Sequence, residues 1–123
     1  MKAYKVVERR NGKLISAALG FRGEVVYRAR EWVSPFPGNG PLSAFEEKEQ
    51  AIEFLLSFPP NSKRMEIWEA EVEPWLDGLP ISQINGKPMR KALWIDGGRI
   101  SVPLHHLPKG TILCKRIKLL FPI

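Results

Sequence analysis

A chain of 123 residues, 44% apolar and 26% charged, has the length of one globular domain and the composition to bury a core without staples. Its single cysteine, Cys114, excludes an internal disulfide framework and a zinc site built of thiolates, and no apolar run reaches the roughly 18 residues of a membrane-spanning helix. The net charge of +6 is too modest to define a partner by itself, so its distribution along the chain matters more than its sum.

Residues 3–8 are β-branched and apolar and predict a first strand. Asn11-Gly12 follows, the strongest short hairpin signal, with Leu14 to Leu19 as the return strand. Residues 24–30 predict a third strand. The stretch 34–41 holds three prolines and two glycines and predicts a loop. Ser43-Ala44-Phe45-Glu46 fits a capping box, so a helix is expected from about Ala44 to Ser57. Phe45, Ala51, Ile52, Leu55 and Leu56 form its apolar stripe, and Phe58-Pro59-Pro60 stops it. Residues 65–73 alternate cleanly, with Trp68, Ala70 and Val72 on one face and Glu69, Glu71 and Glu73 on the other. Residues 74–90 read as a long connection with one helical turn. Residues 91–95 and 99–104 flank Asp96-Gly97-Gly98 as a second hairpin, and 111–120 form the last strand. The expected fold is α+β in a single compact domain, residues 1–123. A mainly antiparallel, strongly twisted sheet of six or seven strands would carry one main helix, about 44–57.

Charge follows this order. Residues 1–30 hold eight Lys/Arg against two Glu, residues 31–84 hold three against ten acidic residues, and residues 85–123 hold eight against one, giving +6, −7 and +7. If the two basic segments lie side by side, positive potential concentrates on one surface and attracts phosphate-bearing partners.

Arg28, Arg30 and Trp32 share one face of an extended chain. Forked guanidinium donors beside an indole suit a phosphate-plus-base ligand, while a solvent-facing arginine pair with Trp32 covering a sheet edge explains the same residues. On the last strand Lys115, Arg116 and Lys118 either add to a polyanion surface or blunt an exposed edge. In unbroken alternation Arg116 and Lys118 point with Ile112 and Cys114, and Lys115 points with Leu113, Ile117 and Leu119. Phe36 and Trp75 stand among prolines as interaction-surface candidates, or fold back as lids. His105-His106 cannot both ligate one metal from a regular strand, so no metal site is expected. The glutamates of 66–73 fit pairing with neighbouring cations better than a two-carboxylate active site. No cofactor-binding or catalytic motif is present, and Cys114 reads as a small buried residue.

One run carries a resemblance: Tyr4-Lys5-Val6-Val7, Gly12-Lys13-Leu14-Ile15-Ser16-Ala17, Trp32, Pro35, Leu42-Ser43-Ala44-Phe45, Ala51-Ile52-Glu53-Phe54 and Glu66-Ile67-Trp68-Glu69-Ala70-Glu71-Val72. It resembles small phage and prokaryotic domains in which a short hairpin leads to a strand, a loop, a phenylalanine-led helix and an acidic strand. Some phage proteins of this layout sequester cyclic or ADP-ribose-derived signalling nucleotides made by bacterial immunity. The resemblance spans roughly residues 4–72 and implies a nucleotide-binding, non-enzymatic role without assigning a binding residue.

The leading expectation is a non-catalytic, cytoplasmic binding protein for a nucleotide or nucleic acid. Arg28, Arg30 and Trp32 would form its centre, with Lys115, Arg116 and Lys118 assisting and no cofactor or membrane involved. The alternatives are an interaction module or homo-oligomer using Trp32, Phe36 and Trp75, and a small enzyme using His105 or His106 with a glutamate of 66–73.

Overall fold

The structure, a computed structural model, describes residues 1–16, 25–35, 42–57, 64–74 and 110–123, and the backbone of four two-residue strands at 83–84, 87–88, 93–94 and 101–102. Strand β1 (Lys2–Arg10) turns through Asn11 and Gly12 into β2 (Lys13–Ser16). Both turn residues have positive φ, +52° and +77°, the handedness that lets a two-residue connection follow the natural twist of its strands. Then come β3 (Val26–Tyr27), β4 (Trp32–Val33), β5 (Leu42–Phe45), helix α1 (Lys48–Leu56) and β6 (Met65–Pro74). Two small hairpins follow, β7 (Gln83–Ile84) with β8 (Lys87–Pro88) and β9 (Leu93–Trp94) with β10 (Ser101–Val102), before the long β11 (Thr111–Pro122).

The main sheet has seven antiparallel strands and closes on itself. β1 pairs with β6 and β5, and β11 pairs with the same two, so these four strands form a ring. β2 and β3 extend it beyond β1, and β4 extends it beyond β11. This is the α+β, sheet-dominated class that the sequence predicts.

The ring explains the sequence of β1. Ala3 and Val7 point into the barrel with Leu42, Ala44, Ala70, Val72, Ile112, Cys114, Ile117 and Leu119, all buried. Val6 and Tyr4 point outward beneath α1, with Phe45, Ala51, Phe54, Leu55, Met65 and Ile67. A strand covered on both faces reads as a nearly continuous apolar run. On the outer face of β6, Met65 and Ile67 lie under the helix and Glu69, Glu71 and Glu73 lie beyond it. There they meet Lys2 (2.8 Å), the N-terminal ammonium (2.6 Å) and Arg116 (2.5 Å), the cation pairing expected of them.

Several expectations are corrected. The helix begins at Lys48, because residues 42–45 are a buried strand wedged between β1 and β11. Closing the ring buries Leu42, Ala44 and Phe45, which outweighs the local Ser43–Glu46 capping signal. The N-cap moves from Ser43 to Glu47, one full turn on, with Gln50 Oε1 accepting from the Glu47 N–H at 3.0 Å. The third strand covers Val26–Tyr27 alone, and the chain then turns: the Glu31 N–H donates to the Arg28 carbonyl (3.2 Å) and Arg30 takes φ +65°. In β11 the register against β6 slips between Cys114 and Arg116. This bulge flips the alternation, so Ile117 and Leu119 share the interior with Ile112 and Cys114 while Lys115 and Arg116 are exposed. The connection expected over 74–90 contains the β7–β8 hairpin, whose strands are separated in sequence by Asn85-Gly86. The hairpin expected over 91–104 is present as β9–β10.

Candidate functional site

Two basic, aromatic surfaces stand out. The first is a cleft of about 580 Å³ where the β1–β2 hairpin meets β3. Arg9, Leu14, Tyr27 and Trp68 occupy positions that face the barrel interior, so the cleft is the mouth of the barrel. Gly12, Lys13, Val26, Arg28 and Ala29 complete its rim. Apolar walls with a few polar groups at the edge are the usual make-up of a small-molecule site.

The three rim cations are not equivalent. Arg9 is clamped by Glu66, with Nε 2.5 Å from Oε2 and Nη2 3.0 Å from Oε1. Trp68 Nε1 donates to the same carboxylate at 3.1 Å. The hydrogen bond from Arg9, and after it the one from Trp68, holds the Glu66 carboxyl below its ordinary titration range despite partial burial. Glu66 therefore fixes Arg9 and the indole edge together as one rigid wall. Lys13 and Arg28 are exposed and form no ion pair with any described residue, so their charge is directed at whatever enters the cleft. Beneath the floor lies Lys5, only 3% exposed. Its ammonium donates to the Ser43 carbonyl at 2.7 Å and sits 5.8 Å from the centroid of the Tyr27 ring. A buried cation behind an aromatic wall adds to the positive potential of the mouth.

The second surface is the outer face of β4 and β11. Trp32 pairs in register with Lys118, and 37% of its surface remains exposed. The Arg116 guanidinium carbon lies 4.2 Å from its ring centroid and Lys118 Nζ lies 5.1 Å from it. The bulge places Arg116 here. Arg116 also reaches Glu73, and an ion pair between two half-exposed side chains is easily exchanged for another anion.

The structure thus rearranges the set expected from sequence. Trp32, Arg116 and Lys118 meet directly. Arg28 belongs to the cleft, and Arg30 projects from the turn between the two surfaces. The three residues 28, 30 and 32 do not share a strand face, because the positive φ of Arg30 breaks the extended chain. Lys115 is exposed at the bulge and touches no other described ring or carboxylate. Phe36, Trp75, His105 and His106 lie outside the described residues. The basic segments are not laid strand against strand: acidic β6 separates β1 from β11. What reaches β11 is the 28–33 segment, through β4 and through the Arg30 N–H, which donates to the Leu119 carbonyl at 2.7 Å. Sequence reasoning missed Arg9, Lys13, Tyr27 and Trp68 as partners. The Asn-Gly turn fixes the place of Lys13, but only ring closure brings Trp68, distant in sequence, to the same mouth. Compared with protein-family models, curated proteins and solved structures, the chain matches none.

Proposed function

We propose that the protein is a non-catalytic binding module for a phosphorylated ligand of nucleotide type, held in the cleft at the β1–β2 hairpin. The observation that carries this reading is the pair Lys13 and Arg28. Both are exposed at the rim of an aromatic-walled cleft and uncompensated by any described carboxylate. A phosphate takes the forked donors of Arg28 and the point charge of Lys13, while exposed Val26 and Ala29 give a base or sugar an apolar contact above the buried rings of Tyr27 and Trp68. A role of this kind is what the resemblance to nucleotide-sequestering phage domains implies, and a cytoplasmic location is proposed with it.

Thermal-shift titration with nucleoside phosphates, the matching unphosphorylated nucleosides and inorganic phosphate tests the reading. Stabilisation is expected from the nucleoside phosphates, weaker from phosphate, and absent with K13A/R28A. Equal stabilisation of wild type and K13A/R28A by every phosphate compound would refute it. An interaction module is the second reading, and Leu56 and Ile52 favour it: they stand 72% and 37% exposed one turn apart on α1. Light scattering across a concentration series tests that alternative.

A further inference from the structure

We infer that the ligand continues beyond the cleft as a single-stranded nucleic acid, whose chain crosses the 28–31 turn and reaches the Trp32 surface; this rests on the cleft reading above. The two surfaces are joined by a short covalent path. Arg28 to Glu31 is a hydrogen-bonded turn, so its ends lie within about 7 Å, and the next residue adds about 3.8 Å. Trp32 therefore begins within about 11 Å of the cleft rim, along a segment whose residues 28–31 are all exposed. Arg30 sits midway, in a left-handed conformation that glycine would adopt more easily, and is pinned to β11 through its N–H. Along this path Lys13, Arg28, Arg30, Lys118 and Arg116 supply positive charge. At its far end an exposed indole, flanked by a guanidinium, gives flat area on which a base stacks.

The same geometry argues against a duplex. Readout of a duplex would need an element to enter a groove, and α1, the helix among the described residues, carries Glu49 and Glu53 on its exposed side. Trp32 and the cleft take bases only from a strand whose bases are unstacked. The outer face of β6 borders the path, with Glu69 and Glu71 paired to Lys2 and the N-terminal ammonium and Glu73 paired to Arg116, the ion pair that a phosphate must displace.

The test is fluorescence anisotropy with labelled oligothymidylates of about 2 and about 12 nucleotides, a span that brackets one small barrel's site. The longer strand is expected to bind at least about tenfold tighter, with a log–log salt slope near −3 as about four phosphates are neutralised. W32A/R116A/K118A is expected to cost the longer strand about tenfold and to leave the shorter one unchanged. R116Q/K118Q, with Trp32 retained, is expected to lower the salt slope by about 1 to 2 and guards against loss of folding. K13A/R28A is expected to weaken both strands. Equal affinity for the two lengths, an unaffected long strand in both Trp32-surface variants, or tighter binding of a duplex of equal length overturns the inference. In those cases the cleft reading survives if the short strand still needs Lys13 and Arg28, and falls if it does not.

Discussion

Replacing Ile117 by alanine tests the bulge in β11. Unbroken alternation from Ile112 and Cys114 would put Ile117 on the opposite face, with Lys115. The structure instead leaves Ile117 and Leu119 with 0% exposure in the cluster that holds Cys114 and Ala70. Ile117→Ala removes three buried carbons, about 2.4 kcal/mol at about 0.8 per methylene, and a residual cavity adds roughly 1 more. The expected loss is about 3.5 kcal/mol, a large share of a typical stability of about 5–15 kcal/mol. At about 2.1 cal/mol/K per residue, the unfolding entropy of 123 residues is about 0.26 kcal/mol/K, so the Tm should fall by about 13 °C. Urea melts followed by tryptophan fluorescence and by circular dichroism give the loss directly, with Lys115→Ala as the control expected to stay within about 0.5 kcal/mol. If Ile117→Ala costs less than Lys115→Ala, the strand is not bulged where described and the assignment of its faces is wrong.

Three further outcomes follow from the packing. Glu66→Gln should lower the Tm at neutral pH while tightening phosphate binding in the cleft about threefold to tenfold, because Arg9 is released from its carboxylate; titration calorimetry reads the second effect. The folded-state pKa of Glu66 is depressed, so its stabilisation is present above the ordinary value of 4.5 and vanishes as pH falls through the folded value. The Tm gap between wild type and Glu66→Gln should therefore be level at neutral pH and close as pH falls below 4.5 through the depressed folded value, and a gap that widens in acid would contradict the assignment. Gly110→Ala should cost about 1–3 kcal/mol and fray α1, since φ is +83° and a Cβ would overlap the Gln50 amide that caps the helix; Gly12→Ala, at φ +77° in open space, should cost about 1 kcal/mol, and denaturant melts compare them. Ala51→Leu should cost about 1–3 kcal/mol by overfilling the contact between α1 and the sheet, whereas Ile52→Leu should be near neutral in the same melts.

Local chemistry made much of the fold legible. Asn11-Gly12 predicts a hairpin because few residue pairs accept two positive φ angles, and β6 is readable because its glutamates and apolar residues alternate. The errors share one cause, which is closure of the ring. Leu42–Phe45 carries a genuine capping pattern, and only the burial gained by bridging β1 and β11 turns it into a strand. The bulge at Lys115 and the left-handed Arg30 are adjustments to barrel geometry that no local pattern announces. The candidate site divides in the same way. Its residue types were visible, with cations near indoles, but their grouping was not. Arg116 reaches Trp32 through a register slip, and Trp68 reaches Arg9 through strand pairing across nearly half the chain.

Strand β5 is four residues long, yet it joins β1 to β11 and leads directly into α1. Any excursion that lifts the helix off the sheet therefore pulls on the seam that shuts the barrel, while Lys5, hooked to the Ser43 carbonyl, resists from inside. Helix and seam should open together as one cooperative unit, with amide protons of 42–56 exchanging at a common rate, instead of fraying one turn at a time.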